Sequence, residues 1–402
     1  MRRGSIRAGA ATLFVVLLAA LVAGGASAGD GDHHKSGDDG KQAAGTQPAA
    51  ATSGAVAATM TTVASGLDNP RDLAFGPDGR LYVAEAGHGG PYCAPGGPGG
   101  TGDTCAGFTS RISLINQTTG TVTPVVDGLI SLADSHGFGA TGVDGVSVAP
   151  DGSIYGIITG AAAGVPEGFP APASVIAKAK SQLGRLIKVT GPGTFSSLAD
   201  VGGFDFAWTS THKQLVPDQF PDANPYGVLA LPREAWVVDA GANTLDRIRP
   251  NGSVDVVAFF PNPPASDAVP TCVERGPDRA LYIGELTGGG NAPGSSVVFR
   301  WTAASGLQPW ATGLTAVTGC GFGADGQFYA VEFSKLGLDN AAPGTGALVR
   351  VSPGSTSPTT IVDDLNFPGG FAGGADGSLY FSNWSTAPAV TGMGAVERVQ
   401  LH

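Results

Sequence analysis

Residues 69–85 read NPRDLAFGPDGRLYVAE, and the pattern inside that stretch returns five more times along the chain. It runs from a polar or proline-led start through a short apolar strand and an Asp-Gly-type turn to a second apolar strand with an aromatic. The later copies are TGVDGVSVAPDGSIYGII (141–158), NPYGVLALPREAWVVD (224–239), VPTCVERGPDRALYIGE (269–285), VTGCGFGADGQFYAVE (317–332) and FPGGFAGGADGSLYFSN (367–383). An Asp-Gly turn between two apolar runs is a direct hairpin signal. Tyr82, Tyr155, Trp236, Tyr282, Tyr329 and Tyr380 take equivalent places, at spacings of 73, 81, 46, 47 and 51 residues. The last three spacings suit four-stranded blades, and the first two call for insertions. Both insertions are visible: the Gly/Pro-rich loop Gly87 to Gly107, and the stretch Ala161 to Leu183, which holds a short, mildly amphipathic helical run SVIAKAKSQL (174–183) suited to lid one face. Neither contains the hairpin motif, so the count is six.

Working outward, each hairpin is followed by a second strand pair, as in RISLINQTTGTVTPVVDGL (111–129) and ALVRVSPGSTSPTTIVDDL (347–365). The sixth unit stops at GAVERVQLH and lacks its outermost strand, while MTTVASGL at 60–67 resembles PTTIVDDL. The expectation is an all-β, six-bladed β-propeller of four-stranded blades, occupying residues 59–402, its ring closed by the N-terminal strand completing the last blade. Closure leaves only short, protected edges, and a monomer is expected.

The N-terminal region reads differently. Arg2, Arg3 and Arg7 precede an apolar run from about Ala10 to Val22, and Ala26-Ser27-Ala28 forms an A-x-A-like site. This predicts a signal peptide over 1–28, cleaved after Ala28 for Sec export to an extracellular location, with an uncleaved anchor as the alternative. Residues 29–58, rich in Gly, Ala and Asp, are expected to be a disordered linker in which His33 and His34 are solvated. Losing the three leader arginines takes the formal charge from −11 to −14. That field sets aside nucleic acid and anionic lipid as partners.

Four cysteines in an exported chain read as two disulfides. Cys93 and Cys105 bracket the first insertion. Cys272 and Cys320 lie on the first strands of adjacent blades, on opposite faces of their own sheets, as an inter-blade bridge requires. Two buried thiols are the alternative for that second pair. No C-x-x-C or Cys/His spacing suggests zinc.

These motifs, with the DANPYGV segment (222–228) and VPTCVERGPDRALYIGELTG (269–288), resemble the ScyD/ScyE family of exported bacterial propellers, over residues 60 to 400. More distantly the chain is similar to NHL-repeat and gluconolactonase-like propellers. The resemblance implies the fold; no agreed activity comes with the family.

In such a ring, the end of each second strand and the start of each first strand share one rim. Three residues after each aromatic stand Glu85, Ile158, Asp239, Glu285, Glu332 and Asn383, and the strand starts add Arg71, Asp72, Asp144 and Asn224. Carboxylates and amides around a channel mouth suit a divalent cation (calcium, zinc or magnesium) or a polar ligand. Likeness to gluconolactonase-like propellers implies a rim metal that polarises a lactone carbonyl. The alternative is that each acid caps backbone N–H groups of a turn. His136, in DSHGFGATGVDG, is a candidate base or metal ligand near the same rim or else a loop cap, and His88 is treated alike. His212 has no identifiable partner. The sequence carries no G-x-S-x-G elbow at a strand-to-helix turn, no H-E-x-x-H, no P-loop and no dinucleotide fingerprint opening a strand–helix unit. The main reading is a secreted binding propeller for a small molecule, glycan or extracellular protein. A metal-dependent hydrolase or lyase and a structural scaffold are the alternatives.

Overall fold

The computed structural model describes residues 57–96, 102–217, 219–261, 267–386 and 391–402. The leader, most of the predicted linker and His33 and His34 lie outside the described residues. Six antiparallel sheets are arranged as a β-propeller. The inner strands are Pro70–Phe75, Val143–Val148, Pro225–Leu231, Pro270–Arg275, Val317–Phe322 and Phe371–Gly373, one for each copy of the motif. Each packs beside the next, and the sixth packs back against the first. The second strands, Leu81–Glu85, Ile154–Ile158, Glu234–Asp239, Leu281–Glu285, Phe328–Glu332 and Leu379–Asn383, pair with them as hairpins. Ala58–Leu67 pairs antiparallel with Gly394–Leu401, so the outermost strand of the sixth blade comes from the start of the chain.

The turns explain the Asp-Gly signal atom by atom. Asp78, Asp151, Asp278, Asp325 and Asp376 each accept, at Oδ1, the backbone N–H two residues on. The residue following the aspartate takes the left-handed conformation, which glycine adopts without a Cβ clash: Gly79, Gly152, Gly326 and Gly377 do so. Arg279 adopts the same conformation at φ 67° without that freedom. In the fourth and fifth blades the aromatic of the second strand turns its hydroxyl back to the turn acid, Tyr282 to Asp278 at 3.1 Å and Tyr329 to Asp325 at 2.8 Å.

Among the described residues there is no single core. Six apolar layers lie each between two successive blades, such as Val298, Val317, Phe328 and Val349 between the fourth and fifth, and a further cluster joins Tyr226, Leu286, Phe333 and Phe367 from four blades. The alternating strand pattern requires this, because each blade has two apolar faces and must bury both against its neighbours. Cys272 and Cys320 form a disulfide across that same layer. Small residues let the inner strands approach: a Cβ on Gly227 would stand 2.5 Å from the Thr271 carbonyl, and one on Gly319 would stand 2.6 Å from the Gly369 carbonyl.

Two departures from the sequence reading bear on the site. The first insertion contains a hairpin: Tyr92–Pro95 pairs with the start of the long strand Asp103–Ile115, with Cys93 opposite Cys105 and bonded to it. Its Gly/Pro content masked the two short strands, which the cross-link and the neighbouring sheet hold. The second long spacing holds two helices. α1, Ala173–Gln182, is the expected run, whereas α2, Val201–Thr211, was not anticipated. Asp200 caps α2 by accepting the Gly203 N–H at 3.0 Å, but Gly202 and Gly203 lower its local helix propensity. No helix among the described residues is long and apolar enough to cross a membrane.

Candidate functional site

The rim acids cap backbone. Glu85 accepts from the Asp68 N–H at 3.0 Å, Asp239 from Asn224 at 2.7 Å, Glu332 from Thr315 at 2.8 Å and Asn383 from Asn366 at 3.0 Å. Each ties the end of its second strand to the segment leading into the inner strand of the same blade. Glu85 is further held by Arg111 through two contacts and by the Ser113 hydroxyl at 2.6 Å. Asp239 also accepts from Gly241 and Ala242. Glu285 accepts from the Val297 backbone, and its burial pushes the carboxyl well above the usual range. Glu332 is pushed up to about 7 by burial. Among the described residues, no group of three or more His, Cys, Asp or Glu side chains is placed to hold a metal ion.

Arg71 and Asp144 do come together. Register shifts occur near the start of the first five inner strands, and bulges of this kind re-aim side chains. Arg71 Nε lies 3.6 Å from Asp144 Oδ1, with both side chains buried, and the guanidinium also donates to the Ala140 carbonyl. The Tyr226 hydroxyl joins Arg71 from the third blade. Burial pushes Asp144 up to about 6 against the opposing pull of Arg71. At the equivalent bulges Thr271 and Thr318 donate to carbonyls of the next blade, Val317 at 2.7 Å and Pro368 at 3.1 Å. These positions therefore fasten blade to blade. Asp72, on the first inner strand, accepts from Leu73 and Val146, and burial raises it to about 7. Glu274, on the fourth inner strand, is likewise raised to about 7.

The histidines lie apart. His136 is 71% exposed in a turn whose backbone is capped by Asp134. His88 pairs with Asp68 at 3.1 Å, and His212 stacks on Trp208 at 4.1 Å.

What the rim does contain is a cavity of about 750 Å³ over the first three blades. Its floor is made by the segments around Thr141, Thr159 and Asn224, which are the rim ends of blades two and three. Its walls are α1, α2, the 160–171 segment and the turn at Phe220-Pro221. The second insertion thus forms part of the cavity wall, and apolar side chains dominate the lining: Phe169, Val175, Ile176, Phe206 and Phe220. Asn224 is the one predicted rim residue that lines it; its carboxamide Oδ1 accepts from the Thr159 hydroxyl.

Asp222 also lines the cavity and was not singled out from sequence. It is 8% exposed; Oδ1 accepts the Ala223 N–H at 2.8 Å, and Oδ2 has no hydrogen-bond partner. Burial, reinforced by the charges of Asp239 and Asp267, pushes it up to about 8. Beside it Asp205 of α2 meets Asp239 and Asp246, all three fully buried. Burial first, then the two neighbouring carboxylates, raises Asp205 well above the ordinary range. The only sequence signal for this group is the acid content of 200–246, because α2 brings Asp205 in from a separate element.

The architecture defines a six-bladed propeller with a walled cavity on its rim. No protein-family profile and no curated protein sequence matches the chain. Its fold is similar to that of a gluconolactonase from Xanthomonas campestris, 10% identical with a TM-score of 0.51, over 88% of this chain and 93% of that one. Streptogramin B lyase is 13% identical with a TM-score of 0.46, over 87% of this chain and 98% of that one. Virginiamycin B lyase from Staphylococcus aureus is 12% identical with a TM-score of 0.45, over 86% and 100%. At such identities the Xanthomonas structure supports the fold alone.

Proposed function

We propose that this chain is a binding propeller that takes a small, largely apolar molecule in the rim cavity between α1, α2 and the Phe220-Pro221 turn. The observation that carries this is the cavity itself. Its volume of about 750 Å³ lies in the range of small-molecule sites, and its lining is apolar around a few polar groups, Thr159, Asp222 and Asn224. The backbone-capping roles of Glu85, Asp239, Glu332 and Asn383 support binding over metal-dependent hydrolysis, since those groups already serve the loops. An exported, ScyD/ScyE-like setting is part of the same proposal; two disulfides are compatible with an oxidising compartment.

The test is uptake of the neutral fluorescent probe N-phenylnaphthylamine by the purified chain. Saturable binding near one probe per chain is expected, and an Ala171→Trp variant, which fills the cavity, loses it while unfolding at the parent's temperature. No saturable binding by the parent overturns the proposal.

A further inference from the structure

The charge around the cavity says which apolar molecules suit it. Among the described lining residues only Asp222 and Glu167 are ionisable, and both are acids. The basic residues of α1 are placed elsewhere: Lys178 Nζ lies 3.8 Å from the centre of the Phe108 ring, and Lys180 is exposed. Asp222 is the buried one of the two acids, and its Oδ2, itself enclosed, has no hydrogen-bond partner among the described residues. The ionisable groups acting on it, Asp239 and Asp267, are acids as well, with no base among them. Three phenyl rings, Phe169, Phe206 and Phe220, line the same space. A buried acid without a cationic partner, set among aromatic faces, is complementary to a positive charge carried on an apolar body. It opposes a carboxylate or phosphate by both desolvation and repulsion.

We propose that the cavity takes a lipophilic amine, its apolar body against Phe169, Ile176, Phe206 and Phe220 and its ammonium at the Asp222 carboxylate. This rests on the binding reading above and deepens it. The ammonium enters with its own proton, and the proton held by Asp222 passes to solvent, so the pair forms as carboxylate and ammonium with up to one proton released.

Three compounds of one shape test this by displacing N-phenylnaphthylamine at pH 7: 3-phenylpropylamine, 3-phenylpropanol and 3-phenylpropanoate. The amine is expected to compete about tenfold better than the alcohol, the weight of one charge-assisted contact, with the acid weakest. Calorimetry in two buffers of different ionisation enthalpy should show proton release for the amine and none for the alcohol. In Asp222→Asn the amine-to-alcohol ratio should fall to about one, and proton release should vanish. Equal competition by amine and alcohol, or preference for the acid, overturns the amine assignment and leaves the binding reading standing. Failure of the parent to bind the probe at all overturns both.

Discussion

Replacing Asp205 with Asn should make this protein more stable at neutral pH. Asp205, Asp239 and Asp246 are fully buried and adjacent, and the Asp205 carboxyl shares side-chain hydrogen bonds with both of the others. Three acids in that setting cannot all ionise, so the folded chain keeps protons that the unfolded chain releases. An amide at 205 removes one titrating group and supplies N–H donors to a neighbouring carboxylate, which then ionises with a partner. A hydrogen bond to a charged group contributes roughly 2 kcal/mol net. Removing the repulsion adds to this. The expected gain at pH 7.5 is therefore about 2 kcal/mol, or a rise of roughly 3 °C in unfolding temperature for a domain of this size. The pH dependence has a defined sign. Acids with raised folded pKa values bind more protons folded than unfolded, so stability falls as pH rises above the unfolded value near 4. The advantage of Asp205→Asn should thus be small at pH 4 and grow toward pH 8. Urea unfolding of both proteins across that range measures it. A variant less stable than the parent at pH 7.5, or a difference independent of pH, refutes the reasoning.

Other outcomes follow from the same structure. The parent should be most stable near pH 4 to 5 and lose stability steadily as pH rises through 8. Asp144 at about 6, Asp72, Glu274 and Glu332 at about 7, and Asp222 at about 8 are forced to ionise in that window; thermal melts across pH check this. Arg279→Gly should gain about 1 kcal/mol in urea unfolding, because it relieves a left-handed residue at a turn where four other blades have glycine. Removing the Cys272–Cys320 disulfide, which closes 48 residues, should cost about 4 kcal/mol by the chain-entropy relation. Removing Cys93–Cys105, which closes 12, should cost about 3 kcal/mol on the same relation, and equilibrium unfolding of Ser pairs compares the two.

The sequence by itself determined the ring. Six copies of one hairpin, an aromatic at a fixed place and, in five of the copies, a turn aspartate four residues before it are local features, and hairpin register follows from local backbone chemistry. The inter-blade position of Cys272 and Cys320 was legible too, because side chains alternate along a strand. The rim acids were visible as a set, but whether each faced a ligand or a backbone N–H was not, because a carboxylate serves both. Only the fold shows Asp239 receiving three N–H groups and Glu85 clasped by Arg111. The cavity depended entirely on tertiary structure. α1 and α2 belong to segments with no repeat pattern, and they wall a cavity only because the ring brings 160–183 and 200–224 over the same three blades. Asp222 carries no local mark of a site, since an aspartate in the run Pro-Asp-Ala-Asn-Pro reads as a turn residue. Its burial, its missing partner and its place in an acid-only apolar wall arise from residues far apart in the chain, and a pattern confined to neighbouring positions carries no record of that.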